Sequence, residues 1–192
     1  MKAIYLLILI FYSCNTTSVN KEALNFCIQN KLNTDFYILI DMSNHSGKER
    51  LFVYDFKTDS ILLSGLCSHG CGNSLWGKDL TKNSPSFSNI PNSHLSSLGK
   101  YRIGNRGYSN WGIHINYRIH GLEKTNNNAF KRDIVLHSWE KISETEIFPK
   151  GTPEGWGCPA VSNNTMKKLD KLLRYSKKPI LLWIKNEKIS KT

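Results

Sequence analysis

Gly155-Trp156-Gly157-Cys158-Pro159-Ala160-Val161 is the stretch on which the reading of this chain turns. Glycines on both sides of Trp156 permit close backbone approach and unusual dihedral angles. Backbone N–H groups around a sharply turned cysteine can face a developing oxyanion. Working outward, Asn163 or Asn164 is placed to cap a helix whose apolar stripe is Met166, Leu169, Leu172 and Leu173. Pro179 stops that region, and Ile180–Ile184 reads as a closing strand. Upstream, Asp133–His137 reads as a strand ending in histidine, 158 − 137 = 21 residues before the cysteine. One strand end and one loop can bring two such side chains together. A thiolate is the nucleophilic form of cysteine, and a nearby imidazole can take the thiol proton. The competing reading is plain: a lone cysteine is usually a small buried hydrophobe.

The remaining pattern is that of one domain. Strand-like runs fall at Phe36–Asp41, Leu51–Phe56, Ile61–Leu66, Tyr101–Ile103 and Gly112–Tyr117. Asn20 is placed to cap a short helix with Leu24, Cys27, Ile28 and Leu32 on one face. Ser68 to Gly99 is rich in Gly, Ser, Asn and Pro and reads as a long loop, a length that is usually functional or disordered. Trp76, Phe87 and His69 within it favour an ordered, functional loop. The expected fold class is therefore mainly β with one or two helices. A hydrophobic share of 40% excludes a wholly disordered chain, and 192 residues exclude two full domains. The net charge of +11 permits an anionic partner without choosing one.

The blocks, taken in order, resemble the murein L,D-transpeptidase catalytic domain family, cysteine enzymes of bacterial peptidoglycan. The resemblance runs through Tyr37-Ile38-Leu39-Ile40-Asp41, Arg50–Phe56, Ser68-His69-Gly70, Phe87-Ser88-Asn89 and Ser96–Tyr101. It continues through Gly121-Leu122-Glu123 and Arg132–His137 to Trp156–Val161. It implies mixed β-sheets with a helix after the cysteine loop. It also implies Cys158 as nucleophile and His137 as general base, with the Ser138 carbonyl orienting the imidazole. The backbone around Gly157 and Cys158 would form the oxyanion hole. In that family the cysteine attacks the diamino-acid carbonyl of a stem tetrapeptide, the terminal D-alanine leaves, and an amine of a second stem resolves the thioester. His69, Trp156 and Ser97 are the expected substrate contacts, and no cofactor is expected.

This sequence departs from the wider family at three places. Trp156 stands where the wider family has His, Gly155 replaces a Ser, and Pro159-Ala160 replaces the usual basic residue after the cysteine. Arg102, Arg106, Arg118 or Arg132 would have to meet a stem carboxylate instead, and spacing does not choose among them. Ser68-His69-Gly70-Cys71 spells a motif that surrounds the nucleophile in many L,D-transpeptidases. Cys71 lacks both the upstream strand ending in histidine and the capped helix downstream, so Cys158 is preferred. Cys67, His69 and Cys71 also pose a three-ligand zinc question that lacks a fourth ligand. A Cys67–Cys71 disulfide is the alternative in an exported protein. No metal site is expected. His114 and His120, read as sharing one strand face, are further cleft candidates.

Lys2 followed by the apolar run from Ala3 to Tyr12 is too short to span a bilayer and fits an export signal. Cys14 stands where a bacterial lipoprotein signal carries its lipidated cysteine, although bulky Phe11 and Tyr12 fit that pattern poorly. The expected division is 1–19 for export and linker and 20–188 for the catalytic domain. The expected location is the cell envelope (periplasm), with a lipid anchor if Cys14 is modified. The expected partner is a peptidoglycan stem peptide, the chain acting as a monomer. No nucleic-acid module is legible. Hydrolysis of the same stems, as a carboxypeptidase or endopeptidase, is the first alternative. A non-catalytic envelope-binding lipoprotein is the second.

Overall fold

A computed structural model describes residues 19–187. The run read above as an export signal, and Cys14, lie outside the described residues. Eight strands form one mixed sheet: β1 Phe36–Asp41, β2 Leu51–Asp55, β3 Ser60–Gly65, β4 Gly99–Tyr108, β5 Ile115–Gly121, β6 Val135–Ser138, β7 Ala160–Val161 and β8 Leu181–Lys185. Their order across the sheet is β3-β2-β1-β8-β4-β5-β6-β7. Most neighbours are antiparallel, but β1 pairs with β8 and β6 with β7 in parallel. After β3 the chain crosses over and lies beside the last strand, where Ser68 N–H donates to Ala160 O at 2.8 Å. That contact almost closes the sheet on itself and joins its two ends at the cysteine loop.

The central strands are buried on both faces, as their unbroken apolar runs require. Ile38 and Ile40 of β1 and Leu182 and Ile184 of β8 enter the main core, which also holds Leu136, Val161, Met166 and Leu169. Tyr37, Leu39, Leu181 and Trp183 alternate to the opposite face. There they meet the first helix, α1, over 19–29, through Ala23 and Cys27. Asn20 sits inside α1 rather than capping it. Its Oδ1 accepts from the Tyr37 hydroxyl at 2.6 Å, and its amide reaches Asp59. The predicted face is kept in part: Cys27 and Leu32 are buried as expected, but Ile28 is exposed and Ala23 is buried. The physical reason is that the stacked rings of Tyr37, Tyr54 and Phe56 select the small side chains of α1.

The second helix, α2, spans Asn163–Leu173 and follows the cysteine loop. Its cap is Ser162, whose Oγ accepts from Thr165 N–H at 3.2 Å, and not either asparagine. Serine wins because it occupies the extended residue just before the first turn. Met166, Leu169 and Leu173 pack inward and hold α2 across the end of the sheet. Strand β4 runs to Tyr108, well beyond the predicted Ile103, with a register shift between Ile103 and Arg106. β5 starts late because His114 takes a positive φ of 61°. His114 and His120 therefore do not share a strand face: His114 stacks on Tyr108 and His120 on Phe130. No described helix is long and apolar enough to cross a membrane.

Candidate active site

Strands β6 and β7 build the site. His137 pairs with Ala160 and Ser138 with Val161, and His137 N–H donates to Pro159 O at 3.3 Å. The two segments separated by 21 residues are thus side by side, with His137 one residue's backbone away from Cys158. The imidazole Nδ1 lies 2.9 Å from the Ser138 carbonyl. A carbonyl only accepts, so Nδ1 carries the proton and Nε2 keeps its lone pair. Ser138 is itself anchored, its Oγ accepting from Ile113 N–H at 3.0 Å. Burial lowers the His137 pKa below the usual imidazole value, opposed by the Ser138 bond and by Glu140. Neutral imidazole is therefore the resting form, and it is the form that can accept a proton.

Cys158 is half-buried and free. Its Sγ contacts Val135 N–H at 3.4 Å and the Asp133 carbonyl at 3.8 Å, rather than the imidazole. Burial raises its pKa; the Val135 N–H and the Arg132 guanidinium pull the other way. The resting pair is thus thiol and neutral imidazole. Proton transfer requires the thiol and Nε2 to come within hydrogen-bond reach, a contact that commonly tightens only in the substrate complex.

The cysteine loop is clamped from two sides. Gly155 N–H donates to His69 O, and Cys71 N–H to Gly155 O, both at 2.8 Å. Ser68 Oγ accepts from Ala160 N–H at 3.2 Å, and Ser96 Oγ donates to Gly157 O at 3.1 Å. Gly157 has a φ of +100°, and a Cβ there would meet the Leu95 carbonyl at 2.6 Å. Only glycine fits this position without displacing a neighbour. Among the described residues the N–H groups of Gly157 and Cys158 donate to no protein acceptor. They are the donors available to an oxyanion.

The other predicted residues separate. His69 is completely buried, with Arg50 Nη2 at 2.8 Å from Nδ1 and Thr81 Oγ1 at 2.8 Å from Nε2. Burial and the adjacent Arg50 push its pKa down to about 3, so it is a neutral link in the clamp. Glu154 completes this cluster, accepting Thr81 N–H at 2.5 Å. Ser97 is buried against the Tyr101 hydroxyl at 2.8 Å. Trp156 is exposed two residues before Cys158 and stacks on His94 at 5.1 Å. Cys67 and Cys71 are both free thiols, each directed at a neighbouring backbone carbonyl, so the Cys67–Cys71 disulfide does not form.

The structure also distinguishes the four arginines. Arg106 is held by Asp170 at 2.7 Å and Arg118 by Asp133 at 2.5 Å. Arg102 lines a cavity with Lys177 and Pro179. Arg132 faces Cys158 and pairs with no carboxylate among the described residues. Its guanidinium donates to Ser88 O at 2.9 Å and to Leu95 O, stapling the long loop over the cysteine turn. Sequence spacing could not choose this arginine among the four because the chain that surrounds it comes from 35 to 44 residues away.

Comparison with known proteins follows the same lines. No curated protein matches the sequence. The fold is similar to a point mutant of the helical cell shape determining protein Pgp2 from Campylobacter jejuni, at 13% identity and a TM-score of 0.50, covering 80% of this chain and 48% of that one. It is also similar to the Ldtfm–avibactam carbamoyl enzyme, at 13% identity and a TM-score of 0.46, covering 80% and 50%. An L,D-transpeptidase from Xylanimonas cellulosilytica matches at 11% identity and a TM-score of 0.42, covering 78% and 60%. This chain spans about half the length of the first of these structures. The family model for the L,D-transpeptidase catalytic domain matches residues 12–182, which is most of the chain. With the fold and the cysteine loop in agreement, the chain belongs to the L,D-transpeptidase catalytic domain family.

Proposed function

We propose that this protein is a peptidoglycan L,D-transpeptidase that works through a Cys158 thioester. The observation that supports it best is the pairing of β6 with β7. It sets a neutral histidine, its Nδ1 proton given to the Ser138 carbonyl, beside the cysteine turn. In the first half-reaction His137 Nε2 takes the thiol proton while sulfur attacks the diamino-acid carbonyl of a stem tetrapeptide. The Gly157 and Cys158 N–H groups meet the oxyanion. The C–N bond to the terminal D-alanine breaks, and that amine leaves with the proton from His137. In the second half-reaction an amine of another stem attacks the thioester, a new amide forms and the thiol is restored. Water in place of the amine would make the same site a carboxypeptidase, or an endopeptidase on existing cross-links.

Incubation with a tetrapeptide stem, read by intact mass, tests the reading. An adduct of the tripeptide acyl group is expected on the native protein and none on Cys158→Ala. His137→Ala should slow its formation by about 10²- to 10⁴-fold. No adduct on the native protein would return the chain to a non-catalytic envelope-binding role. The same proposal takes 20–188 as the working domain behind an export segment, with Cys14 lipidated at the envelope membrane. Fatty-acid label that persists in Cys14→Ser would refute the anchor.

A further inference from the structure

Beside Cys158 lies an aromatic surface that the thiol chemistry does not use. Trp76, Trp111 and Trp156 are 41%, 43% and 61% exposed, unusually open for indoles. Trp76 is the hub, with ring centroids at 6.0 Å from Trp111, 6.5 Å from Trp156 and 5.1 Å from the buried Trp139. His94 extends the surface by stacking on Trp156 at an interplanar angle of 21°. Lys141 sits over both Trp76 and Trp139, at 5.5 and 5.6 Å. Glu140 stands at the same edge, its Oε2 accepting from Gly112 N–H at 3.2 Å. Beneath them the Trp139 indole N–H is buried without an acceptor among the described residues.

Three separate loops converge to make this surface, and two of them are tied to the reacting pair. Trp156 precedes Cys158 by two residues. The loop of Trp111 is pinned to the residue after His137 by the Ile113 N–H bond to Ser138 Oγ. We propose that this surface binds the sugar rings of a glycan strand, of the N-acetylhexosamine class, as a subsite continuous with the cysteine turn. The inference rests on the proposed function for its choice of polymer, since a stem that reaches Cys158 arrives attached to such a strand.

The chemistry of the surface favours a saccharide over other occupants. A pyranose ring is amphipathic: its C–H face lies on an indole, and its edge carries hydroxyl and amide groups. The indoles supply flat apolar area with little entropy to lose, and Lys141 and Glu140 supply polar partners at the rim. The exposed rings of Trp111 and Trp156 are tilted against Trp76 by 46° and 56°, so the three form stepped facets rather than one flat patch. Stepped facets suit successive rigid rings, whereas an acyl chain would be left against His94 and the two rim charges.

The test is titration of the full chain with an N-acetylglucosamine tetrasaccharide, followed by tryptophan fluorescence and calorimetry. A saturable change is expected, and Trp76→Ala and Trp111→Ala should each weaken binding by about two- to tenfold. Circular dichroism establishes that each variant is folded; should an alanine variant unfold, Trp111→Phe, which keeps a smaller face, should bind with reduced affinity. No saturable change, or unaltered affinity in the folded variants, would overturn the proposal. So would binding to neutral phosphatidylcholine vesicles that needs Trp76 while the tetrasaccharide gives no signal. The tetrasaccharide carries no peptide, so its binding should survive Cys158→Ala. Failure of this subsite and failure of thioester formation are therefore read separately.

Discussion

Replacing Gly157 with alanine tests whether the cysteine turn is as tightly determined as its contacts imply. A Cβ at this position would lie 2.6 Å from the Leu95 carbonyl oxygen, 3.1 Å from its carbon and 3.3 Å from Arg132 Nη2. The first two are backbone atoms, and Arg132 fixes that stretch by donating to Leu95 O and Ser88 O. The loop cannot yield cheaply. Holding an L-residue near φ +100° costs about 1–3 kcal/mol. Loss of the Ser96 Oγ bond to Gly157 O, if the turn shifts to escape the clash, adds roughly 1 kcal/mol. The sum is about 2–4 kcal/mol, a fall in Tm of roughly 5–12 °C for a domain of this size. Thermal unfolding followed by circular dichroism reads it directly. Gly155→Ala is the internal control, because a Cβ there meets nothing within 4 Å and its φ is not in the left-handed region. It should stay within about 0.5 kcal/mol of the native protein. A Gly157→Ala variant that melts within about 2 °C of native would refute the reasoning, since the strain would then have been relaxed at little cost.

Thioester formation should rise with pH in two stages. Burial of His137 lowers its pKa, so its basic form is already present below the usual imidazole value of 6.5. Burial of Cys158 raises the thiol above 9.0, so direct ionisation adds a second rise only above that value. A rate that falls between neutral pH and pH 9 would count against a neutral pair. Asp170 provides a test away from the site. Burial alone would raise its pKa, but Arg106 and the Tyr117 hydroxyl, at 2.7 and 2.8 Å, together hold it below 3.8. Its carboxylate therefore stabilises the fold above the unfolded value, and that contribution disappears as pH falls through the lower folded one. Asp170→Asn should cost about 1–3 kcal/mol in urea unfolding at neutral pH, and the gap to native should close in acid. A gap that stays constant down to acid unfolding would show that the pair contributes no ionic stabilisation.

Much of this architecture was legible because local pattern and tertiary demand agree. β1 falls where its apolar run predicts, since a strand buried on both faces must be apolar throughout. The α2 stripe was equally clear, because its residues recur at helical spacing and one face meets the core. The short strand β7 was not legible. Two residues have no period, and they count as a strand only because β6 and the Ser68 segment lie on either side. α1 misled in part: Cys27 and Leu32 of its expected stripe are buried, but the bulky Ile28 is exposed while the small Ala23 is buried.

The sequence by itself determined the class of the domain and nominated Cys158 and His137, because those signals sit in short, ordered blocks. It could not determine what surrounds them. Arg132 stood out from the other arginines only when the loop carbonyls of Ser88 and Leu95 gathered around it at the cysteine turn while Asp170 and Asp133 engaged Arg106 and Arg118. His69 became a buried link only when Arg50 and Thr81 closed on both ring nitrogens. Trp76, Trp111 and Trp156 became one surface only when three loops converged beside the turn. Each of these depends on side chains brought together from distant parts of the chain, which residue types and local spacing do not encode.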